Sequence, residues 1–430
     1  MLSAEPMATS ATTIETGFRE ILGPDSVRAA AAGDLACGVQ PKLVLEPATA
    51  VQLAAALRLA NDAGLAVIPR GGGSKLAWGN PPSRADLILS TKRLDKILEH
   101  VWQDMTVSVE AGCTVGALQH ALAQHGQRLA IDTLWPSSAT VGGILSANDS
   151  GALRLRFGSL RDLIIGSTIA LPDGTLASSG GKVVKNVAGY DMQKLVTGAF
   201  GTLGVITRAV FRLHPLALET RTISCLARNP GEAQRLLLAI QDSRLAHSAL
   251  QVRFVENSLP QLDILFEATQ AGLDAQTEKF KSLVAPVPTS ESDPPVWRAR
   301  QELFNAARDD PGESALAKLS FLPAEFAVVM ENVARNASSN QLRVNAVAQA
   351  YGVAILLLQG PPPRLHAALS SLRAERECAG ASLVVLHRPG AMPPLDAWGA
   401  PGDSLSVMRA VKQQLDAKNT LNPGRFLGGI

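Results

Sequence analysis

Three consecutive glycines follow a short apolar run early in the chain. The run covers residues 65–68, and the chain continues as Pro-Arg-Gly-Gly-Gly-Ser-Lys over residues 69–75. Because glycine has no Cβ atom, the backbone here can adopt positive φ and direct several N–H groups toward one anion. The segment therefore predicts a phosphate-binding loop, although a triple glycine standing alone would more often be a flexible surface loop.

Two further glycine-rich segments favour the phosphate-binding interpretation. The second covers residues 136–144, continues to residue 162, and interleaves small hydroxyl residues with glycines. Hydroxyls can donate to phosphate oxygens there, while bare backbone lets a flat ring approach. The third, residues 198–207, spaces its glycines by three before a β-branched run. Each segment alone could be a turn, but the three together indicate one nucleotide cofactor.

The spacing of these glycines does not fit the two most familiar nucleotide-binding patterns. The loop at residues 71–73 does not begin a GxGxxG pattern, and GxxxxGK[ST] occurs nowhere in the chain. A nicotinamide or ATP site is therefore unsupported. In order and spacing, the three segments resemble the FAD-binding domain of the vanillyl-alcohol oxidase and para-cresol methylhydroxylase (PCMH) superfamily, over about residues 36–216.

Within that superfamily the chain is most similar to the E-type FAD-binding subunit of glycolate oxidase. The similarity rests on residues 68–75, 158–162 and 182–191, and on residues 421–426, which resemble the closing motif of flavin-linked 2-hydroxy-acid dehydrogenases. The resemblance implies two protein partners, a catalytic D-like subunit and an iron–sulfur F-like subunit.

The resemblance also implies FAD as the cofactor. In covalently flavinylated relatives a histidine closes an RxGGH segment, whereas this chain has Ser74 there, so non-covalent FAD is expected. Arg70 either contacts a phosphate or is neutralised elsewhere in its lobe, and Arg425 either meets an anion or caps the last turn. The expected cofactor contacts are Arg70, Gly71, Gly72, Gly73, Ser74, Pro136, Ser137, Thr140, Gly142, Gly143, Asn148, Gly201, Gly204 and Ile206.

The catalytic residues of the family are incomplete in this sequence. Catalytic relatives carry a histidine-rich segment of the HxGDGNxH type, which supplies a metal site or a base, and that segment is missing here. The seven histidines include no pair at ligand spacing, so no metal is expected. Lys185, Asn186 and Tyr190 remain as polar candidates for a pocket near the flavin ring, with ordinary loop residues as an equally weighted alternative.

Cysteine content and net charge argue against iron–sulfur, disulfide-rich and nucleic-acid-binding proteins. Four scattered cysteines without a CxxC pair argue against an iron–sulfur cluster of ordinary spacing and give no sign of a disulfide framework. The net charge of +2, without a basic stripe, argues against a polynucleotide channel. No signal peptide or membrane-spanning run is evident, so we expect a cytoplasmic protein that reaches the inner membrane only through partners.

The chain is long enough for more than one compact unit. We expect an α+β fold in which a two-lobed PCMH-type FAD-binding domain precedes an α/β cap domain and a C-terminal segment that returns to the flavin. The predicted boundaries are 1–35 for an N-terminal segment, 36–216 for the FAD-binding domain, 217–403 for the cap and 404–430 for the C-terminal segment. Two β-α-β units are expected in the small lobe, and residues 286–295 are expected to form an exposed loop.

The expected function is that of an FAD-binding subunit of a glycolate oxidase complex. It would oxidise glycolate or a similar small 2-hydroxy acid to the 2-oxo acid and pass electrons to an iron–sulfur partner. The alternatives are a non-catalytic flavin or assembly subunit of that complex and a free-standing FAD-dependent 2-hydroxy-acid dehydrogenase.

Overall fold

The protein is built on three sheets of four or more strands, and a computed structural model describes residues 11–182, 189–256 and 258–430. The strands of the first two sheets lie within residues 27–212, and those of the third lie within residues 219–387. The change from one set of sheets to the other falls close to the predicted domain boundary at residue 216.

The first lobe is a four-stranded sheet with two helices on one face. Its order is β1-β2-β4-β3; β2, β4 and β3 are parallel, and β1 runs antiparallel at the edge. Its elements are β1 (Val27–Ala29), β2 (Leu43–Leu45), β3 (Val67–Arg70), β4 (Leu87–Ser90), α1 (Ala11–Leu22) and α2 (Ala50–Asp62). Thr49 caps α2 by accepting from the Gln52 N–H at 3.1 Å. Because β3 ends at Arg70, the glycine loop begins at the carboxyl edge of a parallel sheet, where ligands commonly bind.

The second lobe is a five-stranded antiparallel sheet of order β5-β6-β10-β8-β9. Its strands are β5 (Ile97–Val101), β6 (Thr106–Glu110), β8 (Ile164–Ala170), β9 (Leu176–Gly180) and β10 (Val205–Arg212). A separate two-stranded ribbon consists of β7 (Gln127–Arg128) and β11 (His214–Pro215). The helices of this region are α3 (Val115–Ala123), α4 (Val141–Ala147), α5 (Arg154–Phe157), α6 (Leu160–Leu163) and α7 (Met192–Val196). The prediction of a second β-α-β unit in the first lobe is wrong. Strand β6 pairs instead with β10, a partner far along the chain that local pattern cannot reveal.

The third sheet has eight strands in the order β15-β12-β14-β13-β17-β18-β16-β19, all paired antiparallel. The expected cap region thus mixes helices and strands as predicted, but without parallel crossovers. Its elements are β12 (Glu219–Leu226), β13 (His247–Phe254), β14 (Gln261–Ala268), β15 (Thr289–Ser292), β16 (Ser314–Ser320), β17 (Arg343–Gln349), β18 (Val353–Gln359), β19 (Leu383–His387), α8 (Pro230–Asp242), α9 (Gln270–Val284), α10 (Ala299–Asp309), α11 (Phe326–Ser339) and α12 (Pro362–Cys378). Edge strand β15 lies within residues 286–295, so this segment is not wholly the loop we predicted.

The two faces of the eight-stranded sheet have different partners. One face packs its apolar side chains, such as Leu250 and Leu356, against buried residues of α8, α9, α11 and α12. The other face carries α10 and meets Trp78 and Leu134 of the first half of the chain. The second face therefore lies toward the glycine loop.

The end of the chain returns to the first lobe. The segment that follows α13 (Leu405–Leu415) pairs with β3. The Val67 N–H of β3 donates to the Thr420 carbonyl at 2.7 Å, and the Asn422 N–H donates to the Val67 carbonyl at 3.0 Å. Lys412 holds this segment through its ammonium, which donates to the carbonyls of Thr202 and Leu421 at 2.9 Å each. Within the described residues, no helix is both long and apolar enough to cross a lipid bilayer.

Candidate cofactor site

A cleft lies where the glycine loop at the end of β3 faces α4 and β10. Its lining combines all three glycine-rich segments with the C-terminal segment: Pro69, Arg70, Gly71, Gly72, Gly73, Ser74, Lys75, Leu76, Thr91, Thr140, Gly142, Gly143, Ser146, Ala147, Phe200, Gly201, Gly204, Val205, Ile206, Asn422 and Arg425. A wider cavity of about 910 Å³ shares residues 70–73 and Thr140 with it. The combined space is of the size that small-molecule and cofactor sites require.

The glycine loop presents a row of unused hydrogen-bond donors. The N–H groups of residues 71–75 donate to no acceptor among the described residues, although the flanking N–H groups of Leu76 and Thr91 bond to carbonyls of the loop. Gly72 and Gly73 are exposed and Gly71 and Ser74 are half-buried, so these N–H groups are open to the cleft and free to donate to a ligand. Such a row suits a phosphate or diphosphate anion.

Close packing explains why the loop needs glycines. A Cβ atom on Gly72 would lie 1.7 Å from the Ser138 carbonyl oxygen, and one on Gly71 would lie 2.0 Å from Thr140 Oγ1. Gly73 has φ of +74°, a conformation that side chains with a Cβ rarely adopt. The loop is thus pressed against the second glycine-rich segment.

The start of α4 contributes positioning rather than donors. The Val141 and Gly142 N–H groups donate to the carbonyls of Cys113 and Ala111 at 2.9 and 2.7 Å, and the Gly143 N–H donates to Thr140 Oγ1 at 3.3 Å. These N–H groups are therefore already paired within the protein. Thr140 acts as the helix cap and keeps its hydroxyl at the cleft wall.

Arg70 is neutralised within its own lobe. Its guanidinium contacts the Asp34 carboxylate at 2.6 Å, and Arg28 contacts the same carboxylate, also at 2.6 Å. The hydrogen bond from Arg28, joined by those from Arg70 and the Ala31 N–H, holds the pKa of Asp34 well below its usual range. Of the two possibilities left open by the sequence, this geometry favours neutralisation of Arg70 over direct phosphate contact.

The structure brings most predicted cofactor contacts to the cleft. Arg70, Gly71, Gly72, Gly73, Ser74, Thr140, Gly142, Gly143, Gly201, Gly204 and Ile206 all line it. Ser137 lines only the wider cavity. Pro136 instead uses its carbonyl to accept from the Gly116 N–H at 2.7 Å, and Asn148 ends α4 in a left-handed conformation with an unpaired, buried Oδ1.

The structure describes one of the three predicted catalytic residues, Tyr190. Lys185 and Asn186 lie outside the described residues. Tyr190 lies on the surface with 88 % of its area exposed, and its carbonyl accepts from the Ser179 hydroxyl. Tyr190 is not among the described residues that line the cleft, and its role near the flavin ring stays a prediction.

Sequence analysis missed several residues that line the cleft. Ser146 and Ala147 reach it from α4, Phe200 and Val205 lie within the third glycine segment, and Asn422 comes from the C-terminal segment. The spacing of small residues along α4 could have indicated Ser146 and Ala147. The approach of Asn422 depends on the pairing of Val67 with the C-terminal segment, which no local pattern reveals.

A buried charge cluster links the glycine loop to the eight-stranded sheet. Asp149 contacts Lys75 of the loop and Arg300 of α10 at 3.0 Å each, and Arg300 also donates to the Asp132 carbonyl at 2.6 Å. Burial alone would raise the pKa of Asp149, but the two cations outweigh it and lower that pKa to about 2. Burial raises the pKa of Asp132 to about 6.

Two further cations, Lys318 and Arg154, lie near this cluster. Lys318 projects from β16 on the face that meets the first half of the chain; its side chain is exposed, and no described residue forms a hydrogen bond or ion pair with it. The surrounding protein nevertheless lowers the pKa of Lys318 through desolvation, with Arg154 and Arg300 adding to the effect. The guanidinium of Arg154 stacks on the Tyr351 ring at 5.0 Å. An exposed ammonium without a carboxylate partner is suited to a small anion.

Comparisons with known proteins give consistent results. Residues 41–180 match the family described as "FAD binding domain". Glycolate oxidase subunit GlcD of Bacillus subtilis (strain 168) is 24 % identical over 90 % of this chain and 89 % of that protein. D-lactate dehydrogenase of Archaeoglobus fulgidus is 33 % identical over 43 % of this chain, a match that spans 41 % of that relative. The structure of p-cresol methylhydroxylase with substrate bound superposes with a TM-score of 0.74 and 15 % identity, covering 98 % of both chains.

Proposed function

Because residues 41–180 are an FAD binding domain and the whole chain has the fold of p-cresol methylhydroxylase, we propose that this FAD-dependent oxidoreductase is a subunit of a glycolate-oxidase-type complex. In this proposal it oxidises glycolate or a similar small 2-hydroxy acid to the 2-oxo acid and passes electrons to an iron–sulfur partner. The observation that carries the proposal is the similarity to a glycolate oxidase subunit along 90 % of the chain.

The cleft fits FAD in shape and in hydrogen-bonding character. The unpaired N–H groups of residues 71–75 would hold the diphosphate, and the wall of small residues from Thr140 to Ala147 would admit the flat parts of the cofactor. FAD would supply the acceptor for the hydride removed from the substrate carbon. Non-covalent attachment is part of the proposal, since Ser74 occupies the position of the linking histidine and neither histidine nor tyrosine is among the described residues that line the cleft.

The unpaired ammonium of Lys318 supports a carboxylate-containing substrate. The Arg154 guanidinium lies near the Lys318 ammonium, since it contributes to lowering the pKa of that lysine, and no described carboxylate forms an ion pair with either side chain. A 2-hydroxy acid presents one carboxylate that both cations could bind. Such binding would orient the neighbouring hydroxyl-bearing carbon, which is the positioning that hydride transfer requires.

A second candidate function is a flavin or assembly subunit that does not contact substrate. The observation favouring it is that the described residues contain no group of three histidine, cysteine or acidic side chains able to hold a metal ion. In this version the D-like partner performs the oxidation, and the present chain relays electrons or stabilises the complex. The assignment as the E-type component, the cytoplasmic location and the two named partners belong to the proposal in either version.

Anaerobic spectroscopy of the purified chain distinguishes the two candidates. Glycolate and D-lactate are added to the FAD-loaded chain, and bleaching of the flavin absorbance is followed with and without a D-like subunit. Bleaching by the chain alone supports a substrate site on this subunit. Bleaching that requires the partner supports the relay role, and flavin that stays oxidised under both conditions contradicts the proposal.

A variant of Lys318 tests whether this lysine binds the substrate. Lys318→Met is expected to raise the substrate concentration for half-maximal bleaching at least about tenfold, equivalent to about 1.4 kcal/mol of binding. Lys281→Met removes an exposed lysine that pairs with Glu278 on α9 and serves as the control. Equal half-maximal concentrations for Lys318→Met and the unmodified chain would rule out Lys318 as a substrate contact.

A further inference from the structure

Arg425 is a buried cation whose charge has no carboxylate partner among the described residues. Its side chain belongs to a residue that is 3 % exposed, and it lines the cleft beside the glycine loop. Its guanidinium donates to the carbonyls of Leu76 and Trp78 at 2.6 and 2.7 Å and approaches Cys37 Sγ at 3.6 Å. These partners satisfy hydrogen bonds but do not neutralise the charge.

Other buried cations near the cleft have carboxylate partners. Lys75 and Arg300 share Asp149, and Lys412 contacts Asp416 at 2.6 Å. An isolated charge taken out of water costs several kcal/mol of free energy, which is why buried charges are normally paired. Burial accordingly lowers the pKa of Arg425, yet a guanidinium remains protonated at neutral pH. An uncompensated guanidinium therefore requires an anion from outside the chain.

Among the described residues that line the cleft, three carry a positive charge, and two of these have a carboxylate partner. Arg70 is paired with Asp34 and Lys75 with Asp149, which leaves Arg425. Its hydrogen bonds to described residues run from Nε and Nη2, and none runs from Nη1. Arg425 reaches the carbonyls of Leu76 and Trp78, immediately after the loop whose unpaired N–H groups point to a diphosphate.

We infer that Arg425 supplies the counter-charge for the diphosphate of FAD, in place of Arg70. The inference deepens the cofactor-binding part of the proposed function and does not depend on the substrate. The C-terminal segment is then part of the cofactor site: it brings the cation, while the glycine loop brings neutral backbone donors. Cofactor binding would also offset the cost of burying Arg425, so FAD would stabilise the C-terminal segment.

Binding of cofactor fragments tests this inference without any measurement of activity. FAD is removed from the full chain, and the affinities of ADP and of riboflavin are measured by calorimetry at several salt concentrations. ADP carries the diphosphate without the flavin ring, and riboflavin carries the ring without phosphate. Arg425→Gln is expected to weaken ADP binding at least about tenfold, or about 1.4 kcal/mol, and to leave riboflavin affinity unchanged. Arg425→Lys keeps the charge and is expected to retain ADP affinity within about threefold.

Arg373→Gln is the matched control. Arg373 is also buried and also donates to backbone carbonyls, those of Leu383 and Ala397 at 3.3 Å each, but it does not line the cleft. It is expected to leave both affinities unchanged. The inference is overturned if Arg425→Gln binds ADP as tightly as the unmodified chain, or if riboflavin affinity falls in place of ADP affinity. If Arg425→Gln does not fold, a loss of ADP affinity in Arg425→Lys well beyond threefold would equally overturn it.

Discussion

The Val67 N–H donates to the Thr420 carbonyl at 2.7 Å, so the last part of the chain pairs with the strand that leads into the glycine loop. This contact joins residues that are remote in sequence and brings Asn422 and Arg425 to the cleft. The cleft is therefore formed by the first and second lobes together with the C-terminal segment. It follows that changes in the C-terminal segment should affect cofactor binding as strongly as changes in the loop.

The packing of Gly72 gives the first prediction. Gly72→Ala would place a Cβ atom 1.7 Å from the Ser138 carbonyl oxygen, so the loop must move and its row of N–H groups must be lost. We expect FAD affinity to fall at least about tenfold, measured by fluorescence titration of the apoprotein. Gly312→Ala, at a glycine with no heavy atom within 4 Å of the added Cβ, is the control and should bind FAD normally. Normal FAD affinity in Gly72→Ala would refute the assignment of the loop.

The buried pair of Lys412 and Asp416 gives the second prediction. Lys412→Met would leave the Asp416 carboxylate buried without its cation, which typically costs about 3–5 kcal/mol of folding free energy. The loss should appear in denaturant unfolding and as faster hydrogen exchange at the Asn422 N–H. The control is Lys418→Met, whose exposed ammonium lies 3.8 Å from Asp62 and should contribute less than about 1 kcal/mol. Equal losses from the two variants would contradict this account of the C-terminal anchor.

The third prediction concerns acid stability through Asp149. Its pKa in the folded protein is about 2, below the ordinary value of about 3.9, so the carboxylate stabilises the fold at neutral pH. This contribution, on the order of 2 kcal/mol, is present above about pH 4 and is lost as the pH falls through about 2. Lys75→Met removes one of the two cations and should therefore destabilise the protein most above pH 4. Unfolding free energies of Lys75→Met and the unmodified chain, measured at intervals between pH 2 and 7, test this. A loss of stability in Lys75→Met that becomes larger as the pH falls would contradict the prediction.

The fourth prediction concerns the contact between the second lobe and the eight-stranded sheet. Arg128 contacts the Glu267 carboxylate through two parallel bonds of 2.6 and 2.7 Å, and both side chains are mostly buried. A double-mutant cycle with Arg128→Met and Glu267→Gln should give a coupling energy of about 1–3 kcal/mol in denaturant unfolding. The exposed pair Lys281 and Glu278 provides the comparison and should give less than about 0.5 kcal/mol. A coupling energy near zero for the first pair would show that it does not hold the two units together.

The sequence predicts the cofactor and its loop well because both depend on local properties. Residues 71–73 are glycines for reasons of backbone geometry and close approach, and Thr49 and Thr114 begin helices as short-range capping rules predict. The α+β fold is confirmed by the structure and its neighbours, and FAD as the cofactor is confirmed by the match to the FAD binding domain family. Patterns of this kind need no knowledge of distant contacts.

The missed features depend on contacts between distant residues. Nothing near Arg70 in sequence shows that Asp34 neutralises it, and Lys318 is one lysine in an alanine- and leucine-rich strand. Strand β6 has the alternation of a sheet strand but no mark of its partner β10. The proposals for Arg425 and Lys318 rest on burial and on the absence of carboxylate partners among the described residues, neither of which can be deduced from the sequence.

The most direct test of the central claim is the flavin content of the purified chain before and after acid precipitation. The account predicts about one FAD per chain, with the absorbance peaks of bound flavin, and release of intact FAD into the supernatant when the protein is precipitated. Flavin that stays with the precipitate would contradict non-covalent binding. A chain that binds no flavin even after incubation with excess FAD would contradict the assignment of the cleft itself.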